Sequence, residues 1–384
     1  MEMSEILICG AGVGGLVTAH RLRKILPAAD RITVFDQAPE HTFSPSLPWV
    51  MTGTRRAEQV TKPLRTLREQ GITMVNGMIE AIDPATRSVR AAGQAHQGDA
   101  LVIALGAALE PGVIPGLADG GDNIYTLSGA TAAFSHLQTI ERGKVVVLIS
   151  RVPFKCPAAP YEAAMLVDGY LRKMRRREAA EVEVWAAEGA PMGVAGQEIS
   201  GSVVDALAER QIAYHPGETV TNVDAANRLL HFESGRTASY DLLLYVPPHQ
   251  APRVVVDAGL APKGGWIMVD RQTLETSYPN VFAIGDVTSI PLSLGKPLPK
   301  AGVFAHAQGE VVAQIIRDRL QGRKESAAFD GHGECFIEMG AGRAGFARGN
   351  FYAEPSPAVR AFRPGRHWHA AKVAFERHWW SQWW

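Results

Sequence analysis

Residues 6–16 read ILICGAGVGGL. Ile6 to Cys9 is a short apolar run that predicts a buried strand, and Leu16 to Leu26 predicts a helix. Between them Gly10, Gly12 and Gly15 spell G-x-G-x-x-G, with Gly14 alongside. Glycines at that junction permit a tight turn. They also let backbone N–H groups approach a pyrophosphate at the helix N-terminus, where the helix dipole favours anions. A second apolar strand, Ile32 to Phe35, ends in Asp36, 21 residues after Gly15. A carboxylate there accepts hydrogen bonds from a ribose hydroxyl. Together these features are read as a dinucleotide site, in preference to a glycine turn chosen for packing alone. Cys9, inside the strand, is expected to be a buried structural thiol.

The bulk numbers set the frame. The chain has 384 residues, enough for two or three domains. Lys+Arg and Asp+Glu both number 39, so nothing favours a nucleic-acid partner. Three cysteines cannot make a disulfide framework, though they allow one redox pair and one spare. No secretory-type run precedes the first strand, and no apolar run reaches the roughly 18 residues of a spanning helix. A soluble chain, or one attached to a membrane surface, is expected.

A second strand-loop-helix junction lies at Gly143 to Leu171, GKVVVLISRVPFKCPAAPYEAAMLVDGYL. Val145 to Ile149 predicts a buried strand, and a helix starts near Tyr161. A second nucleotide would need a glycine-rich turn between them. The loop holds no glycine. It holds Cys156, boxed by Phe154, Lys155, Pro157 and Pro160. The following helix N-terminus, Lys155 and Arg151 are expected to favour thiolate, and Glu162 is placed to relay a proton. Cys335 lies on a predicted strand, 179 residues further on. Taken alone it reads as a core thiol, and His332 beside it supplies too few ligands for a metal, so none is assigned.

Two further segments select the dinucleotide. Leu101 to Gly106 (LVIALG) is a buried strand ending in glycine, and Tyr278 to Asp286 (YPNVFAIGD) delivers Gly285 and Asp286 at a strand end. With the first fingerprint these resemble the glutathione-reductase-like flavoproteins with two dinucleotide-binding domains, over residues 4 to about 320. The resemblance implies FAD in the first site, contacted by Gly10, Gly12, Gly14, Gly15, Asp36, Gly106, Gly285, Asp286 and Lys300. The expected fold is α/β, with two nested Rossmann-like domains and a small C-terminal α+β region carrying an amphipathic tail helix. Residues 1–110 and 263–325 would bind FAD, and residues 111–262 would form the second domain, without a nicotinamide fingerprint. Residues 326–384 would serve quinone and membrane association. Between these landmarks, His41 to Val50 is expected to be a loop and Arg55 to Glu69 a charged helix. Thr73 to Ala81 and Ser88 to Ala92 are expected to be small antiparallel strands.

The segments FKCPAAPYEAA, HTFSPSLPWV, NVFAIGDV and PLPKAGVFAHAQGEVVA make the resemblance narrower. They are similar to sulfide:quinone oxidoreductase and to its relative, the flavoprotein of sulfide:cytochrome c dehydrogenase. That resemblance implies that Cys156 and Cys335 form a redox pair beside the flavin. It makes Glu162 a base and puts Lys300 near flavin and quinone. Sulfide would be oxidised to polysulfide or elemental sulfur, with two electrons passing through FAD to a membrane quinone. Phe346, Phe351 and Tyr352 are candidate quinone walls. The pattern departs at Tyr125 and Gly129, where many members carry a cysteine and a histidine, and at Val194, where another histidine is usual. Alternatives are the cytochrome-linked flavoprotein subunit, an NADH:quinone reductase, and a flavin-binding sensor or scaffold without catalysis.

The chain ends HWHAAKVAFERHWWSQWW, with five of its eight tryptophans. On a helix, Trp368, Ala371, Phe375, Trp379 and Trp383 share one side, widened by Trp380 and Trp384 and bordered by Arg366, Lys372 and Arg377. A tryptophan stripe flanked by bases suits a bilayer headgroup boundary. Residues 366–384 are therefore expected to hold the protein peripherally on the cytoplasmic membrane, on either face. A helix docked on its own protein or on a second copy in a homo-oligomer is the alternative.

Overall fold

The computed structural model describes residues 3–384. The chain first runs β1 (Glu5–Cys9), α1 (Val13–Ile25), β2 (Arg31–Asp36), β3 (Thr73–Asn76) and β4 (Ala100–Ile103). It then builds β5 (Gly143–Ile149), α2 (Ala159–Lys173), β6 (Ala180–Ala186), β7 (Ala213–Pro216) and β8 (Leu242–Val246). It returns through β9 (Val281–Ala283) and α3 (Gly302–Leu320). Finally it forms β10 (His332–Glu338), β11 (Ala344–Asn350), β12 (Ala358–Gly365) and α4 (Arg366–Trp383).

The first sheet is parallel, in the order β9-β4-β1-β2-β3. The second is also parallel, with a short strand at Asp122–Asn123 followed by β8-β5-β6-β7. Since β9 rejoins the first sheet after the second is complete, one α/β unit is inserted in the other. The central strands are near-continuous apolar runs because both faces of a parallel sheet are covered. β4 reads ALVI and β8 reads LLLYV, and every residue of both is buried. β10, β11 and β12 form a separate antiparallel sheet that α4 follows.

Three local expectations are corrected. His41 to Val50 is not an irregular loop. Pro45 and Pro48 stand in the first turns of two short helices, Ser44–Ser46 and Leu47–Met51, where a missing N–H costs nothing. Arg55 to Glu69 is not one helix either. Pro63 lies within Thr61–Pro63, which pairs antiparallel with Glu40–Thr42 and separates two 3-10 turns. Thr73–Asn76 joins the parallel sheet as its edge. Ile79–Asp83, Ser88–Ala91 and Gln94–Gln97 form the small antiparallel sheet.

The tail is the larger correction. Its tryptophan stripe does not stand free for a bilayer, because α4 folds back onto the first unit. Trp379 and Trp383 are each 3% exposed, in one apolar cluster with Leu16, Leu22, Phe43, Val312 and Ile316. Trp379 stacks on Phe43 with ring centroids 5.3 Å apart, and Trp383 lies 5.0 Å from the His20 ring. The groove between α1, α3 and the His41–Phe43 segment is itself apolar and aromatic. Full burial of a large apolar side chain there is worth about 1.5–3 kcal/mol. Trp368 packs on Phe346 at 4.3 Å, while Phe375 remains 39% exposed. No helix among the described residues is long and apolar enough to cross a membrane.

Trp379→Ala is expected to destabilise the protein by about 3–5 kcal/mol, the usual cost of emptying a buried aromatic site. Chemical denaturation followed by circular dichroism measures it. A surface-lying tryptophan would cost almost nothing.

Candidate active site

A cavity of about 860 Å3 opens at the C-terminal ends of β1, β4 and β9. Gly10, Gly12, Gly14, Asp36, Gly106, Gly285, Asp286 and Lys300 line it. Gly15 stands behind, where a Cβ would lie 1.9 Å from the Gly10 carbonyl oxygen, so only glycine fits the turn. Gly12 differs, since a Cβ there would meet nothing within 4 Å and would project into open space. Asp36 accepts the Ala11 N–H at 2.7 Å on one oxygen and the Ala38 N–H at 2.8 Å on the other. Burial lifts its carboxyl above the usual range.

At the opposite end, Asp286 Oδ1 is buried and has no hydrogen-bond partner among the described residues. Burial raises its carboxyl, while Lys155 and Lys300 pull it back down. Orphan carboxylate oxygens are costly, so this one is built to accept from a ligand. A glycine cradle at one end and a hydroxyl acceptor at the other match the pyrophosphate and ribityl chain of FAD. The Lys300 ammonium donates to the carbonyls of Asp286 at 2.7 Å and Thr288 at 2.8 Å, and lies 3.4 Å from the Trp266 ring centroid. Burial lowers its pKa to about 8.

The sulfur side is built by long-range contacts. Cys156 adopts φ +48°, a left-handed conformation that costs a β-carbon residue of order 1 kcal/mol or more. It is held from three sides. Its N–H donates to the Lys300 carbonyl at 2.6 Å, and its own carbonyl accepts from Tyr125 Oη at 3.2 Å and the Ala159 N–H at 2.9 Å. One turn into α2, Glu162 is 3% exposed and lines the same cavity. Its Oε1 accepts the Glu338 N–H of β10 at 2.7 Å and the Lys372 ammonium of α4 at 2.6 Å. That carboxylate pins β10 against α2. That ties the strand of Cys335, whose thiol donates to the Phe336 carbonyl at 3.2 Å, to the helix that follows Cys156. All three cysteines are free thiols, and Cys9 is fully buried in β1, as expected.

The charge balance at the thiols differs from the one expected. Arg151 donates to the Ser150 and Val220 carbonyls and does not serve Cys156. Burial pushes the Cys156 thiol up to about 12, and Glu162 adds to the rise. Cys335 is pushed up as well, by burial first and then by Cys156 and Glu162. The cation that opposes this at both sulfurs is Lys372. Sequence reasoning missed it, along with Glu338 and His369, by assigning the tail to a bilayer. The signal was present in the helical spacing of His369, Lys372 and Glu376, three polar groups on one side.

The remaining candidates are not gathered at the cavity. Phe346 sits with Phe336, Phe362 and Trp368, whereas Phe351 packs on Phe304, and Tyr352 on Phe329 and Arg271. The three do not form one wall. In the second unit, Tyr161 is fully buried at the start of α2 and donates to Glu188, whose carboxyl burial raises to about 7. That phenol fills the start of the helix in the second unit.

Residues 4–149 and 161–309 match the family described as pyridine nucleotide-disulphide oxidoreductase. The chain therefore belongs to that family of flavoprotein oxidoreductases. The segment between the two matched stretches is the Cys156 loop. Sulfide-quinone reductase of Aquifex aeolicus is 28% identical over 392 residues, covering 97% of this chain and 90% of that protein. The mitochondrial sulfide:quinone oxidoreductase of mouse is 25% identical over 365 residues, covering 91% and 79%. The X-ray structure of the Aquifex aeolicus sulfide:quinone oxidoreductase superposes with a TM-score of 0.90 at 26% identity, covering 99% of this chain and 91% of that one. Within the larger class, this chain is similar over nearly its whole length to sulfide:quinone oxidoreductases.

Two outcomes are expected here. Gly12→Ala should leave the fold intact but weaken flavin retention at least about tenfold, since a methyl group would stand between backbone and phosphate; fluorescence titration of the apoprotein with FAD measures it. Lys300 titrates near 8 folded and 10.5 in its ordinary state, so the unfolded chain binds the extra proton between those values. Its contribution to stability therefore increases as pH rises through that window. The slope of the urea midpoint against pH between 8 and 10 should fall in Lys300→Met.

Proposed function

We propose that this chain oxidises sulfide at Cys156 and Cys335 and passes the electrons through FAD to a quinone. The observation that carries this reading is Glu162, which lines the cavity with Cys156 and takes a backbone N–H from the strand of Cys335, 179 residues away. In the oxidised state the pair forms a disulfide. Hydrosulfide attacks one sulfur, the S–S bond breaks, one cysteine keeps the new persulfide and the other leaves as a thiolate. Glu162, next to both thiols, takes the proton released as hydrosulfide becomes a persulfide. FAD, when bound, supplies the two-electron relay between sulfur and quinone.

Cys156 lines the cavity wall and is locked by Lys300 and Tyr125 in one backbone conformation. Preorganisation of that kind keeps the reacting sulfur in place through turnover. Lys300 fixes the Asp286 turn, which would hold the cofactor chain. Because quinones are lipid-soluble, the protein works at a membrane surface. Phe375, 39% exposed on α4, supports contact there, while the buried tryptophans hold the helix to the protein. The absence of glycine from the second junction argues against a nicotinamide donor.

Anaerobic mixing tests the assignment. Sulfide should bleach the flavin absorbance and NADH should not; the reverse result would sink the proposal. Cys156→Ser should retain FAD yet lose sulfide bleaching by at least about a hundredfold, as loss of a covalent nucleophile does.

A further inference from the structure

α4 carries His369, Lys372 and Glu376 at helical spacing, and each enters the protein rather than solvent. His369 bonds Glu338 at 2.9 Å, Lys372 bonds Glu162 at 2.6 Å, and Glu376 bonds Arg55 at 2.7 Å and Ser46 at 2.6 Å. Lys372 is 5% exposed and Glu162 is 3% exposed, so both charges have left water. Stability alone gives no reason for such a pair, because apolar side chains of equal volume usually fill the space as well or better. What apolar side chains lack is a field at the neighbouring sulfurs.

The position of Lys372 fits that use. Glu162 stands six residues after Cys156, and Glu338 three after Cys335. The ammonium sits on the Glu162 oxygen that also takes the Glu338 N–H, where the two thiol-bearing segments meet. We propose that Lys372 is the counter-charge of the Cys156–Cys335 pair, a positioning residue that holds Glu162 and lets either sulfur carry negative charge in a buried site. This rests on the reading of those thiols as the redox couple. It makes the C-terminal helix part of the reaction centre, whatever else it touches.

The groups that face this centre come from every packed element. They are Glu162 from α2, Glu334 and Glu338 from β10, His369 and Lys372 from α4, and Asp286 from the flavin turn. Burial opposes the charge on Lys372, but Glu162 and Glu338 outweigh it and hold its ammonium above the ordinary lysine range. Glu162 and Lys372 act on each sulfur with opposite sign.

The test is thiol alkylation across pH in the reduced, FAD-loaded protein, with Cys156 and Cys335 read separately by peptide mass spectrometry. It needs neither sulfide nor quinone, so its failure is distinct from failure of the sulfide assignment. Lys372→Met should slow alkylation of both thiols at pH 8 by about tenfold or more, a shift of one unit in thiolate formation. Glu162→Gln should speed it, and Lys372→Arg should restore most of the wild-type rate. A merely structural role would move both charge-removing variants in the same direction, through loosened packing. If Lys372→Met fails to fold, Glu162→Gln/Lys372→Met removes both charges together and should alkylate more slowly than Glu162→Gln alone. Same-direction changes in the two singles, or a double variant no slower than Glu162→Gln, would overturn the proposal.

Discussion

One carboxylate holds the sulfur side of this molecule together. Glu162 takes a backbone N–H from β10 and an ammonium from α4 while standing on the first turn of α2. Three segments far apart in sequence meet at its Oε1. Without that contact, β10 has no polar tie to α2, and Cys335 has no reason to lie near Cys156. A buried carboxylate in this position demands a cation, because an unpaired one would be strongly destabilising. The cation comes from the last helix, so the end of the chain completes what its middle begins.

The cofactor side follows simpler rules. A glycine turn opens β1 into α1, and a second strand end brings Asp286 across from it. The inserted unit then lies so that its own strand-loop-helix junction faces this cavity. Where a nucleotide-binding junction would present glycines to a phosphate, here the backbone presents Cys156 in a left-handed conformation. Tyr161 and Glu188 fill the space behind it. The same architecture thus offers one dinucleotide cradle and one sulfur platform.

Much of this was legible in the sequence because the signals are local. Apolar runs marked β1, β4, β5 and β8, and glycine spacing marked the cradle. The absence of glycine around Cys156 marked the altered junction. What stayed hidden depends on contacts between distant residues. Tryptophans at 379 and 383 have the same amphipathic pattern whether they meet lipid or a groove on their own protein. Only the apolar groove between α1 and α3 decides between them. Lys372 was read as a border of that stripe, since nothing near it in sequence reveals Glu162. The cations close to Cys156 in sequence were credited with a field that a residue 216 positions away supplies. His41 to Val50 reads as a loop because it holds Pro45 and Pro48, although at a helix start the missing N–H is no loss.

The short bond from the Cys156 N–H to the Lys300 carbonyl has a consequence beyond the loop itself. The same lysine clasps the turn that carries Asp286, the orphan acceptor of the cofactor cavity. The thiol loop and the Asp286 turn are therefore joined through a single residue. A substitution that shifts the Lys300 backbone would therefore be felt at the thiol loop and at the Asp286 turn together.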